Sequence, residues 1–138
     1  MRVVVDTNVL ISALLKPGSV PDRALEGLLG GAAVLLYDAR IEAEYREVTA
    51  RRKFRAVPRE RIAALLEAIA QRGECLQDVP AWDGPMSDED DRMFVEVALA
   101  GRADAVVTGN AKDFPTGEAF AIWSPAECLV PLGTEGSP

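Results

Sequence analysis

Residues 3–15 read Val3-Val4-Val5-Asp6-Thr7-Asn8-Val9-Leu10-Ile11-Ser12-Ala13-Leu14-Leu15. With Arg2 in front, the three valines make a short buried strand, and Asp6 ends it. Val9, Leu10, Ala13 and Leu14 then recur on one helical face, until Lys16-Pro17-Gly18 stops the helix. The junction between strand and helix carries Asp6, Thr7 and Asn8. A strand that turns directly into a helix around a polar triplet is the opening unit of an α/β protein.

Outward from that unit the alternation continues. Ser19-Val20-Pro21-Asp22 starts a second helix with Pro in its first turn. Leu25, Leu28 and Leu29 form its stripe, and Gly30-Gly31 ends it. Ala33–Tyr37 reads as a second buried strand. Asp38 caps a third helix running to about Arg52, with Ile41, Tyr45 and Val48 as its core face. A fourth helix spans Pro58–Gln71, its stripe being Ile62, Leu65, Leu66 and Ile69. Val79–Ser87 is loop. Ser87 and Asp88 open a fifth helix, Ser87 with Asp90 forming a near capping box, and Phe94, Val97 and Ala98 face inward. Gly101 closes it before a strand at Ala105–Val107. A last strand near Phe120–Ile122 leads into a helix from Ser124-Pro125. Strands alternating with helices predict a parallel sheet of four to five strands with helices on both faces. One domain over residues 1–132 is expected, with a flexible tail at 133–138.

Composition narrows the chemistry. The 138 residues contain no histidine, which excludes Ser-His and Cys-His triads and the usual zinc sites. Hydrolysis would then rest on carboxylates, hydroxyls, lysine or a hard metal ion. Cys75 and Cys128 form neither a metal spacing nor a disulfide framework. Without a membrane-length apolar run or a secretory leader, a cytoplasmic protein is expected. The net charge of −7 argues against nucleic-acid binding by the chain as a whole. The charge is uneven, however: Arg46, Arg51, Arg52, Lys53 and Arg55 cluster, while Asp83 to Asp91 is acidic. An acidic site beside a basic strip suits a metal-dependent enzyme with a phosphate-bearing substrate; solvated helix faces account for either stretch alone.

Open parallel sheets place their sites at the carboxyl ends of strands. Two such ends are unusually polar here: Asp6-Thr7-Asn8, and Thr108-Gly109-Asn110-Ala111-Lys112-Asp113. Neighbouring strands would bring both to one crevice. Each also has an ordinary explanation, Asp6 or Asn8 as a helix cap and Asn110 and Asp113 as turn residues. On the third helix Glu44 falls nearest the apolar face, where a carboxylate needs a metal or an arginine to offset its desolvation. Dipole and capping effects explain most of Asp88-Glu89-Asp90-Asp91. Asp91 differs, because it precedes Phe94 by three residues and ends the inward stripe. Gathered carboxylates repel one another unless Mg²⁺ or Mn²⁺ joins them, and such an ion activates water and offsets charge in phosphodiester hydrolysis.

In this arrangement the sequence resembles the PIN-domain family, specifically VapC-like toxins of bacterial toxin–antitoxin pairs. The resemblance runs from Val3 to about Leu132. It is carried by VVVDTNVLISALL, IEAEYREVTARRKF, DEDDRMFVEVALAGRADAVVTGNAKDF and AIWSPAECL, in that order. It implies a PIN-like α/β domain and a Mg²⁺- or Mn²⁺-dependent endoribonuclease whose ligating acids are Asp6, Glu44 and Asp91. Many relatives carry a fourth acid directly after the Thr-Gly pair, where this chain has Asn110; others rely on the acid of the Asp-Phe pair, here Asp113. Asp113 is taken as the fourth acid, with Asn8, Asp88, Thr108 and Asn110 supporting. An RNA substrate, an antitoxin protein and a homodimer follow from the same resemblance, and Arg46, Arg51, Arg52, Lys53 and Arg55 are candidate phosphate contacts. The alternatives are a PIN nuclease of RNA processing without an antitoxin, an inactive RNA-binding PIN module, and a receiver-like phosphotransfer module. A receiver would need an acidic pair after the first strand, where Asp6 stands alone.

Overall fold

A computed structural model of the chain describes residues 1–132; the expected tail at 133–138 lies outside the described residues. The elements in order are β1 (Arg2–Val5), α1 (Thr7–Leu15), α2 (Val20–Gly27), β2 (Val34–Tyr37), α3 (Ala39–Thr49) and α4 (Arg59–Arg72). There follow β3 (Glu74–Cys75), α5 (Arg92–Ala100), β4 (Ala105–Val107), β5 (Ala121–Trp123) and α6 (Pro125–Leu132). The five strands form one sheet in the order β3-β2-β1-β4-β5, and every pairing is parallel. The expected α/β architecture is the one observed.

β1 is the central strand, with Val3 in register with Leu35 of β2 and Ala105 of β4. Consecutive strand residues point to opposite faces, yet Val3, Val4 and Val5 are all fully buried, so both faces of the sheet are covered. By the right-handed rule for parallel crossovers, α1 and α2 belong on one face and α5, which carries the chain back from β3 to β4, on the other. The chain moves outward in one direction through β2 and β3 and in the other through β4 and β5. The order therefore reverses between β1 and β4, and a crevice opens at their carboxyl ends.

Three local features differ from the sequence expectation. α3 ends at Thr49, whose hydroxyl turns back to the Tyr45 carbonyl at 2.7 Å. A 3₁₀ turn at Arg52–Phe54 follows, because Phe54 is drawn into a small apolar cluster with Leu14 and Val48. The short edge strand β3 was not expected, since Glu74 and Cys75 are exposed and present no apolar run. It lies beside β2 because Gly73 lets the chain pass close: a Cβ there would sit 2.6 Å from the Ile69 carbonyl oxygen and 2.7 Å from that of Leu35. Lastly, the fifth helix is capped by Asp88, which accepts from the Asp90 N–H at 3.0 Å, in place of the Ser87–Asp90 box. A 3₁₀ turn over Glu89–Asp91 precedes α5. Among the described residues no helix is long and apolar enough to cross a membrane.

Candidate active site

The crevice between β1 and β4 is built by continuing their ladder past the strand ends. The Asp6 N–H donates to the Val107 carbonyl at 2.9 Å, and the Thr108 N–H to the Trp123 carbonyl at 2.9 Å. That fixes Asp6 and Thr108 side by side, and the Thr108 hydroxyl donates to Asp6 Oδ2 at 2.8 Å. Thr108 is fully buried and Asp6 is 5% exposed. The Thr108 oxygen in turn accepts from the Asn110 N–H at 3.0 Å, and Asn8 Oδ1 accepts from the Gly109 N–H at 3.1 Å. Both polar strand ends foreseen in the sequence are thus tied into one loop cluster.

α3 brings Glu44 to the same place. Thr7 donates its hydroxyl to Glu44 Oε2, and the next residue on the helix, the fully buried Tyr45, donates its hydroxyl to the Val5 carbonyl. Two successive α3 side chains therefore clasp the residues on either side of Asp6. Glu44 itself is half-buried, as its position beside the apolar stripe foretold.

Electrostatics show which acids share the crevice. Burial pushes the Asp6 carboxyl above the usual range and the Glu44 charge adds to it, while the Thr108 hydroxyl and the N–H groups of Asn8 and Thr7 oppose the shift. Asp91, where the 3₁₀ turn meets α5, is pushed up to about 7 by burial and by the charges of Asp6, Asp88, Glu44 and Asp113. All four acids named from the sequence are therefore felt at one point, with Asp88 as a fifth. Asp113 is half-buried in a 3₁₀ turn, whereas Asn110 is exposed and contributes its backbone N–H.

The donor set fits a hard cation. Every donor in the cluster is oxygen, and a divalent ion would relieve the mutual repulsion that raises Asp91. Among the described residues no three acids stand close enough to grip one ion together.

A second cluster beside this one was not foreseen. Asp38 and Glu96, each 5% exposed, are bridged by Arg40. A lone glutamate inside the apolar run Met93–Ala100 was the available signal. Arg92, next to Asp91, donates to the carbonyls of Trp82 (2.8 Å) and Gly84 (2.7 Å) and stacks on the Trp82 ring. It thereby pins the 79–87 loop against the start of α5.

The basic strip lies away from these acids, along a groove of about 730 Å³ between the end of α3 and α4. Arg46 and Arg51 are held in i,i+4 pairs with Glu42 (3.7 Å) and Glu47 (2.9 Å). Arg52, Lys53 and Arg55 are exposed on the intervening turn, and among the described residues no carboxylate pairs with them. The groove floor is aliphatic, with Val57, Ile62 and Leu66 half-buried.

A parallel sheet with a histidine-free acid cluster at its switch point defines the class: an α/β protein with a carboxylate-rich crevice at the carboxyl ends of its strands. The comparisons give the family. A PIN domain model matches residues 2–112, and the chain belongs to the PIN-domain family, whose members are generally nucleases. No curated protein matches the sequence. Among solved structures the chain is similar to one from the crystal structure of VapBC2 from Rickettsia felis bound to a DNA fragment from their promoter. The two are 20% identical with a TM-score of 0.59, the match covering 90% of this chain and 98% of that one. At that identity the likeness speaks for the fold.

Proposed function

We propose that the chain is a divalent-metal-dependent endoribonuclease and the toxin of a toxin–antitoxin pair. The observation that carries this reading is the convergence of negative charge from Asp6, Glu44, Asp88 and Asp113 on Asp91, at the switch point of a PIN fold. Membership of a nuclease family supports the hydrolytic half. The structural likeness to a chain of a VapBC complex supports the antitoxin half. A homodimer acting in the cytoplasm goes with the same reading.

Of Asp6, Glu44, Asp91 and Asp113, one or two would bind Mg²⁺ or Mn²⁺ directly and the others through the ion's waters; when bound, the ion supplies Lewis acidity toward the phosphodiester and activation of water. The chain's own groups do the rest. Thr108 and the N–H groups of Asn8 and Thr7 oppose the rise that burial imposes on the Asp6 carboxyl. Thr7 orients Glu44, and Asn8 fixes the Gly109 turn over the crevice. Arg52, Lys53 and Arg55 offer unpaired cations to backbone phosphates beyond the scissile one.

The test is cleavage of a panel of RNAs by the full chain with Mg²⁺ or Mn²⁺, and again with EDTA. Cleavage abolished by EDTA is expected. RNA binding without cleavage under either metal would leave an inactive RNA-binding module, and cleavage without growth arrest or a neighbouring antitoxin gene would favour RNA processing.

A further inference from the structure

We infer that Arg40 is a positioning residue, a latch that ties α3 to α5 through Asp38 and Glu96 and so sets the gap between Glu44 and Asp91. This rests on the reading that those two acids hold the metal.

The latch is fully engaged. Arg40 donates from Nε to Asp38 Oδ2 at 2.9 Å and from NH1 to Glu96 Oε1 at 2.7 Å. Asp38 Oδ1 accepts the N–H groups of Arg40 and Ile41, both at 3.1 Å, and Glu96 Oε2 accepts the Trp82 N–H at 2.8 Å. With every carboxylate oxygen partnered, Asp38 and Glu96 are not spare ligands for a cation. Buried acids held this way demand an arginine fork, since one planar group must reach two carboxylates at once.

Its placement gives the latch its role. Arg40 and Glu44 stand one helical turn apart on α3, and with Glu96 and Asp90 they line one cleft of about 400 Å³ between α3 and α5. α3 and α5 both pack against β2 and against each other, and among the described residues Arg40–Glu96 is the one ion pair between them. Both helices aim acids into the same crevice, Glu44 from one and Asp91 at the head of the other. Like charges push such elements apart, and the Arg40 bridge opposes that opening just behind the acids.

Two variants of the full chain test this. Arg40→Lys keeps the charge but cannot span both acids. Glu96→Leu breaks the bridge from the other side, and leaves Arg40 paired with Asp38 and partly in water, so no charge is stranded. Mn²⁺ affinity is read from the electron paramagnetic resonance of the free ion, beside melting in EDTA. A ten- to hundredfold loss of Mn²⁺ affinity is expected in both variants, the range seen when groups behind metal ligands are removed. Cleavage should return toward the wild-type kcat at saturating Mn²⁺. Lower melting with unchanged Mn²⁺ affinity would overturn the inference and make Arg40 a purely structural tie. A wild-type chain that binds no Mn²⁺ would instead sink the metal-site reading beneath it.

Discussion

Thr108 gives its only hydroxyl proton to Asp6 Oδ2 at 2.8 Å, across the ends of two adjacent parallel strands. The bond is wholly buried, and it opposes the rise that burial imposes on the Asp6 carboxyl. Thr108→Val keeps the shape and removes the donor. It should cost about 1–3 kcal/mol, the penalty for a buried group stripped of its partner. Urea unfolding checks the size, and Thr108→Ser should recover most of the loss. Equal stability of Thr108→Val and wild type would show that water replaces the hydroxyl.

Asp6→Asn should fold and fail to cleave. The amide oxygen can take the place of Oδ2 and still accept from Thr108, so the bond that ties the two strand ends survives. What disappears is the charge that would bind metal. Far-UV circular dichroism and RNA cleavage measured on the same preparation decide it; full activity in a folded variant would remove Asp6 from the site.

pH should act on the metal-free chain through Asp91. The group titrates at about 7 when folded, against about 3.9 in an unfolded chain. Between those values the folded state holds a proton that the unfolded chain has released, so stability falls as pH rises from about 4 to about 7. Urea midpoints in EDTA at pH 4.5, 6 and 8 should decline in that order, and less steeply in Asp91→Asn. A flat series would mean that neither burial nor the neighbouring acids raise Asp91.

Metal should reverse that decline. A ligand at about 100 times its dissociation constant adds roughly 2.7 kcal/mol. Melting of the wild type at pH 8 should therefore rise by several degrees with millimolar Mg²⁺ or Mn²⁺ and fall back with EDTA. The Asp6→Asn/Asp91→Asn double variant should show little response. It should also melt above the metal-free wild type, because the amides avoid both the burial of charge and the repulsion that raise Asp91.

The unpaired cations of the α3–α4 turn give a salt prediction. Each phosphate contact on a single strand contributes about −0.7 to the log–log salt slope. Changing Arg52, Lys53 and Arg55 together to Gln should flatten the slope by up to about two units. The measurement needs the Asp91→Asn background to prevent cleavage. An identical slope would leave the strip without RNA contact and free for another partner.

Much of this architecture was legible in the residues themselves. The Val3–Val5 run and the helical stripes of α1, α3 and α5 each encode their element within a few residues of it. Asp6, Glu44 and Asp91 were picked out as candidates by the same logic, since each interrupts or borders an apolar pattern where a charge is costly. β3 was illegible because two exposed residues carry no periodicity, and its pairing is dictated by β2 and Gly73. The Arg40 bridge was hidden for a related reason: Glu96 is 56 residues away, and only the packing of α5 brings it near. The partner of a buried charge is a tertiary fact.

The register of β1 against β4 carries a last consequence. Only three residue pairs set it, Val3 with Ala105, Val4 with Val106 and Val5 with Val107. A slip of one residue would turn Thr108 to the opposite face and leave Asp6 facing a backbone. Every other strand could still pair, and the core would remain apolar. Such a molecule would look folded by circular dichroism and yet have no centre. The proposed nuclease activity would in that sense be a proofreading readout of the chain's own folding, reporting the alignment of two strands that spectroscopy averages away.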